Sequence, residues 1–360
     1  MNPADKELRQ EYKSYLLRKW LVLLILLMIL LAIMLVSAAI GSSGIDLGQV
    51  LAALFRKGSA SAQTILWDIR LPRIVTAMVV GAALAVSGCL MQCVLRNPLA
   101  SASTLGVTQG ASFGAAFAIV CLGAGAQANV ATADAVTISN PFLVTSFAFL
   151  GGILTTVVIL GLSRIVKVSP SAMVLAGVAL SSMFSGGTTI IQYFADDVQV
   201  AAVVYWTFGD LGRSSWQEIG IMFGLCLLAM VYFLYHRWDY NAMDHGVQTA
   251  KSLGIPVDRL MLLTMVVCSL LVSVCVAFVG CISFIGLIAP HMVRKFVGND
   301  HRFLIPASAL AGAIVLTLAE LVSRTVVSPA ILPVGAITSF LGAPLFLAMI
   351  FKRRRSGYID

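Results

Sequence analysis

Charge is what this sequence has least of. Only 11% of its 360 residues are Asp, Glu, Lys or Arg, against about 25% in an ordinary soluble domain. Hydrophobic residues make up 59% and mean hydropathy is +0.95, more apolar surface than a water-soluble fold can hide. A phosphate-binding loop is missing too. The pattern G-x-x-x-x-G-K-[ST] comes nearest at Lys251-Ser252, where His245 and Ala250 stand in place of both glycines. Nothing resembles a nucleophile with its base, which removes support for an enzyme embedded in the membrane. The seven cysteines, Cys89, Cys93, Cys121, Cys226, Cys268, Cys275 and Cys281, form no C-x-x-C pair. Spacing therefore offers no metal or redox motif and reads them as small packing residues. Acids inside apolar runs are scarcest of all: Glu320 alone lies clearly within one. Ion-coupled carriers need such groups, so a secondary transporter is the weaker alternative.

What is abundant is uninterrupted apolar sequence. A bilayer core about 30 Å thick takes roughly 20 apolar residues per helix. About ten such runs occur, at 19–40, 74–94, 103–122, 142–164, 171–193, 217–235, 260–281, 283–297, 304–323 and 335–351, the eighth being short. They are continuously apolar and do not alternate with period two, so they are helices and not barrel strands. The first is too long for a signal peptide, lacks a convincing cleavage site and is read as a retained helix. The expectation is an all-α membrane protein of about ten transmembrane helices. Residues 1–18 form an N-terminal tail, 19–351 a single polytopic domain and 352–360 a basic C-terminal tail.

Basic residues orient the chain. With both termini cytoplasmic, the tails and inner loops collect eighteen of the 24 Lys and Arg, from Lys6, Arg9, Lys13, Arg18 and Lys19 through Arg96, Arg164, Lys167, Arg237, Lys251, Arg259, Arg294, Lys295 and Arg302 to Lys352–Arg355. The outer side keeps Arg56, Lys57, Arg70, Arg73, Arg213 and Arg324. The positive-inside rule favours this orientation. Basic tails against anionic lipid also account for the net charge of +8 without any nucleic acid.

Two loops are long enough to hold structure. Residues 41–72, outside, contain the apolar run Val50–Phe55, read as a short surface helix. Residues 236–259, inside, suit a short helix-turn-helix stopped by Gly254 and Pro256, a plausible partner-docking segment. A faint internal echo places Gly88 eight residues before Arg96, and Gly286 eight before Arg294, as two related halves would. Glu320 and Arg324 are one helical turn apart and positioned to pair. His291 follows Pro290, which frees backbone carbonyls, and reads as a hydrogen-bonded structural residue. Gln92, Asn97 and Gln192 read as polar contacts between helices.

From Arg70 to Gly110 the chain runs RLPRIVTAMVVGAALAVSGCLMQCVLRNPLASASTLGVTQG. Further on come Tyr205-Trp206, Gly209, Trp216, Ser252-Leu-Gly254, Gly280, Phe284-Ile-Gly-Leu-Ile-Ala-Pro-His291, Arg294, Asp300-His301-Arg302, Pro333-Val-Gly335, Gly342-Ala-Pro344 and Phe346. This order, over roughly residues 65–351, resembles the FecCD-type permeases, the membrane subunits of importers for ferric siderophores, haem and cobalamin. The resemblance implies a bacterial inner- or plasma-membrane protein that pairs with a second copy of itself. It also implies two cytoplasmic ATPase subunits, which use ATP-Mg, and an extracytoplasmic binding protein that delivers cargo; the chain itself binds no cofactor or metal.

The resemblance assigns Arg70, Arg73 and Arg324 to docking of the binding protein, against the plainer alternative of interfacial snorkelling. It assigns Ala250, Ser252, Leu253 and Gly254 to ATPase coupling, against an ordinary connector. Gly286, Pro290, His291, Pro333, Gly335 and Gly342 fall in segments near the family's dimer axis, as path or gate, although tight helix packing explains glycines equally well. Glu320 stands where the family usually has aspartate. The cavity lining is expected to be mostly neutral and apolar, and transport to proceed by alternating access.

Overall fold

Inside a bilayer every backbone N–H and C=O needs an internal partner, and the chain meets that demand with helices. The computed structural model describes residues 3–41, 46–127, 136–138, 140–166, 170–328 and 330–356. The described helices are α1 Pro3–Ala39, α2 Leu47–Leu54, α3 Ala60–Thr64, α4 Leu71–Val94, α5 Val107–Val120, α6 Pro141–Val166, α7 Pro170–Tyr193, α8 Asp197–Thr207, α9 Trp216–Tyr235, α10 Arg237–Asp244, α11 Val247–Ser252, α12 Val257–Val279, α13 Ile285–Val297, α14 His301–Thr325 and α15 Val334–Ser356. A wide π turn, Ile65–Arg70, leads into α4. A small antiparallel ribbon pairs β1 Gly125–Gln127 with β2 Val136–Ile138.

All ten expected spans are helical, as α1, α4, α5, α6, α7, α9, α12, α13, α14 and α15. Seven helical segments among the described residues are long and apolar enough to cross a membrane unaided. The runs centred on α5, α13 and α15 are shorter. Helix α1 begins at Pro3 and α15 runs to Ser356, so both extend beyond the apolar runs into the expected tails. Residues 1–2, Lys167 and the last four tail residues, 357–360, lie outside the described residues.

Small residues decide which helices touch. Helix α4 is buried along most of its length, and its glycines meet other backbones. A Cβ on Gly81 would lie 2.3 Å from the Gly312 carbonyl oxygen of α14, and one on Gly312 would lie 2.2 Å from the Gly81 oxygen. At Gly88 a Cβ would stand 1.9 Å from the Gly286 oxygen of α13. Helices α5 and α6 approach in the same way at Gly110 and Gly151. In lipid, where apolar side chains gain little by leaving their surroundings, such backbone approach is a main source of helix association.

Local signals set the ends. Capping boxes start α8, at Asp196 with Gln199, and α9, at Ser215 with Glu218. Helix α8 has no counterpart among the ten expected runs: its eleven residues are too few to span a membrane, and it packs against α5 and the ribbon.

Candidate functional site

Between α5, α7, α8 and α15 lies an open-sided cavity of about 440 Å³, lined by Gln109, Ser112, Ser185, Thr188, Thr189, Gln192, Thr207, Phe208, Cys281, Ser283, Gly335, Ala336 and Ser339. No lining residue carries a formal charge, but most offer a hydroxyl or amide, which corrects the apolar lining expected from sequence. The spacing that builds it was visible. Ser185, Thr188, Thr189 and Gln192 sit at i, i+3, i+4 and i+7, one face of α7. Some hydroxyls are anchored locally, Thr188 donating to the Phe184 carbonyl at 2.9 Å and Ser339 to the Gly335 carbonyl at 2.8 Å. Gln192, read from sequence as a polar contact between helices, lines this cavity.

Of the six expected path or gate residues, the cavity takes in Gly335. A side chain there would collide with the Cys281 and Phe208 carbonyl oxygens, at 2.4 and 2.6 Å from a Cβ, and its own N–H donates to Phe208 O at 3.0 Å. Gly286 is packing between α13 and α4, and its carbonyl accepts from Gln92 Nε2 at 3.3 Å. Gly342 lies against Phe284 of the turn before α13, with 2.7 Å left for a Cβ. Pro290 is buried within α13, and the ring of its neighbour His291 meets Phe346 edge-on at 6.1 Å. Pro333 is half-buried just before α15.

The three candidate docking arginines have different surroundings. Arg70, only 5% exposed, donates to the carbonyls of Ala38 and Ala39, the latter at 3.0 Å. Arg324 Nε lies 3.0 Å from Glu320 Oε1, while its other nitrogens donate to Ile40 O at 2.7 Å, Ser37 Oγ at 2.6 Å and Ser37 O. Both guanidiniums therefore cap the C-terminal end of α1, where unsatisfied carbonyls and the negative pole of the helix dipole attract cations. Arg73 is more accessible and faces Asp210 at 3.7 Å. Arg56 and Lys57, at the end of α2, are exposed.

On the opposite face, α10 and α11 form the expected helix-turn-helix. Ala250 is fully buried and props α11 from inside, whereas Ser252 and Leu253 are exposed, Leu253 at 67%. Gly254, with φ +81, ends the turn in a conformation that favours glycine and leaves open space around it. Tyr240 fixes α10 to α12 through its hydroxyl, 2.8 Å from Thr264 Oγ1.

Asp300 caps α14 and joins three elements. Its carboxylate accepts from the Arg302 fork at 2.7 to 3.1 Å and from Asn241 Nδ2 of α10 at 3.1 Å, with Lys19 Nζ of α1 at 3.8 Å. Burial alone would raise its pKa, but the bonds from Arg302 and Asn241 outweigh burial and hold it down at about 2. Apart from Arg302, the partners of Asp300 come from residues far away in the chain, Asn241 and Lys19.

Apolar spans, backbone-to-backbone helix contacts, an uncharged cavity and an exposed connector define a multi-pass membrane transport subunit. The match covers most of the chain: the FecCD transport family matches residues 27–352, and the protein belongs to that family of ABC permeases. An ABC transporter permease protein of Methanocaldococcus jannaschii, MJ0087, is 49% identical over 346 residues, 96% of this chain and 98% of its own. The hemin transport permease HmuU of Yersinia pestis is 34% identical, over 90% of this chain and 96% of its own. A solved structure described as a metal-chelate type ABC transporter in an inward-facing conformation superposes with a TM-score of 0.79 at 29% identity, covering 92% of this chain and 99% of the other.

Proposed function

We propose that this permease passes a pre-formed iron chelate, such as a ferric siderophore, haem or a cobalamin-like compound inward by alternating access. The observation that carries this reading is the cavity: uncharged, rich in hydroxyls and amides, and open on one side. Neutral donors and acceptors make weak, exchangeable contacts with a bulky chelate whose metal is already coordinated, so cargo is passed on and not trapped. Helix α15 exposes Phe340, Leu341, Leu345 and Leu347 beside it. A second copy of the chain set against that side encloses the path, with α1 and α9 left to the lipid.

In this reading two ATPase subunits, which bind and hydrolyse ATP-Mg, sit on the face carrying both termini. They grip Ser252, Leu253 and Gly254, while Ala250 transmits the push through its buried contact. An extracytoplasmic binding protein delivers cargo at the other face, in a bacterial inner or plasma membrane. There Arg73 and the exposed Arg56 and Lys57 meet its carboxylates, whereas Arg70 and Arg324 shape the platform from within. Opening and closing pivots on the segments holding Gly286, Pro290, His291, Pro333, Gly335 and Gly342.

The test is Leu253→Arg in liposomes holding the permease, its ATPase and its binding protein. Cargo-stimulated ATP hydrolysis should fall to the basal rate while the chain stays folded; unchanged stimulation refutes the coupling role. An uptake panel of ferric siderophores, haem and cobalamin with the cognate binding protein then assigns the cargo.

A further inference from the structure

We propose that Cys93, Asp244 and His301 form a binding site for a thiophilic divalent metal ion, of which Zn²⁺ is the type, on the face that carries the termini. The three residues come from the end of α4, the end of α10 and the start of α14. One donor atom of each, a thiol sulfur, a carboxylate oxygen and a ring nitrogen, lies within 4.8 Å of the others. Tetrahedral zinc with ligands at about 2.0–2.3 Å needs donors roughly 3.5 Å apart, so a shift of about 1 Å completes the geometry. Asp244 is the group free to make it, with its side chain 28% exposed beside buried Cys93 and His301. The same exposure is the way in for an ion.

The histidine is prepared for ligation. Asn241 Oδ1 accepts from the His301 backbone N–H at 2.7 Å and lies 3.0 Å from ring Nδ1, while the Asn241 amide nitrogen donates to Asp300. That orientation places the ring proton on Nδ1. Nδ1 is also the ring nitrogen that faces Asp244, 3.7 Å from its Oδ2, while Nε2 is a bare acceptor, buried and without a hydrogen-bond partner among the described residues. A ring nitrogen fixed by a neighbouring oxygen while the other is left basic is the usual outer arrangement of a metal-bound histidine.

Charge selects the kind of ion. Arg294 lies close to all three groups, and Arg96 is near Asp244. A cation held by the carboxylate alone would face their repulsion. One that also takes the Cys93 thiolate forms a neutral complex, and the thiol proton leaves to solvent. A bound ion would tie α4, α10 and α14 together and so restrain the connector; this last step rests on the coupling role proposed above.

Titration of the purified, metal-free full chain in detergent with Co²⁺ tests the site. We expect one Co²⁺ per chain, a thiolate-to-cobalt charge-transfer band, and displacement by Zn²⁺. Cys93→Ser should abolish the band, Asp244→Asn should weaken binding, and Asn241→Ala should weaken it by about 10–100-fold while keeping the band. A wild type that binds no more tightly than monodisperse Cys93→Ser, or a band that survives in that variant through exposed Cys121, overturns the site. In the reconstituted transporter Zn²⁺ should slow uptake by wild type but not by Asp244→Asn. Binding without that inhibition overturns only the restraint on the connector, because the titration needs no partner.

Discussion

Helices α4 and α7 are each 24 residues long and apolar, yet they live in different surroundings. The apolar stretch that includes α4 is 83% buried inside the protein; that of α7 is 11% buried. Mean hydropathy does not separate them in kind, at 2.2 and 1.6. Part of the difference lies in what their glycines meet. Gly81 and Gly88 of α4 each face the backbone of another helix, whereas on α7 Gly177 meets loop backbone at Thr104 and Leu105, Gly187 meets the Phe113 ring, and nothing lies within 4 Å of a Cβ built on Gly186. In a membrane, apolar character gives a helix permission to be there, and small residues at a crossing determine its neighbours.

That comparison is broken most severely from the sealed side. Glu320→Ala on α14 removes the buried partner of Arg324, whose side chain is 10% exposed. Loss of one member of such a pair costs about 3–5 kcal/mol. Thermal unfolding in detergent should show the drop, together with new protease sensitivity after α1. Gly88→Val comes next: overpacking typically costs about 1–3 kcal/mol, and here the obstacle is backbone that has no rotamer to change. At the termini face, acid should reveal Asp300. Its pKa is lowered on folding, so its contribution is full above the unfolded value near 4 and is lost as pH falls through about 2. Unfolding midpoints measured from pH 5 downward should fall more steeply for wild type than for Asp300→Asn. The smallest effect belongs to α7, where Gly186→Ala should change stability by at most about 1 kcal/mol. A loss as large as that of Gly88→Val would show that a partner covers this stretch as closely as α13 covers α4.

All ten membrane helices were legible, because run length and continuity are properties of sequence alone. Helix α8 was not, since its apolar face is too short to register beside true spans. The connector was readable from Gly254 and Pro256. Of the echoed pairs Gly88–Arg96 and Gly286–Arg294, the two glycines meet at a crossing and both arginines stand near Asp244. The candidate site was only half legible. A face of hydroxyls at helical spacing on α7 was there to be read. That Arg70 and Arg324 turn inward was hidden, because their partners are backbone carbonyls of α1, which no side-chain pattern announces. Nor did spacing point to Cys93, whose neighbours Asp244 and His301 lie far along the chain.

Helix α1 is fastened at two places. At one end its carbonyls are taken by Arg70 and Arg324; at the other Lys19 approaches Asp300 and Tyr12 accepts from Arg302. Between them few side chains are buried, Leu23 and Leu30 among those few. Such a helix is held in its middle on one side only, by Leu30 against Ala313 and Ile314 of α14, and is intolerant at its fastenings. Its exposed residues between Leu21 and Leu35 are therefore the part of this protein most open to exchange for other apolar residues, including labels or anchors chosen by an experimenter.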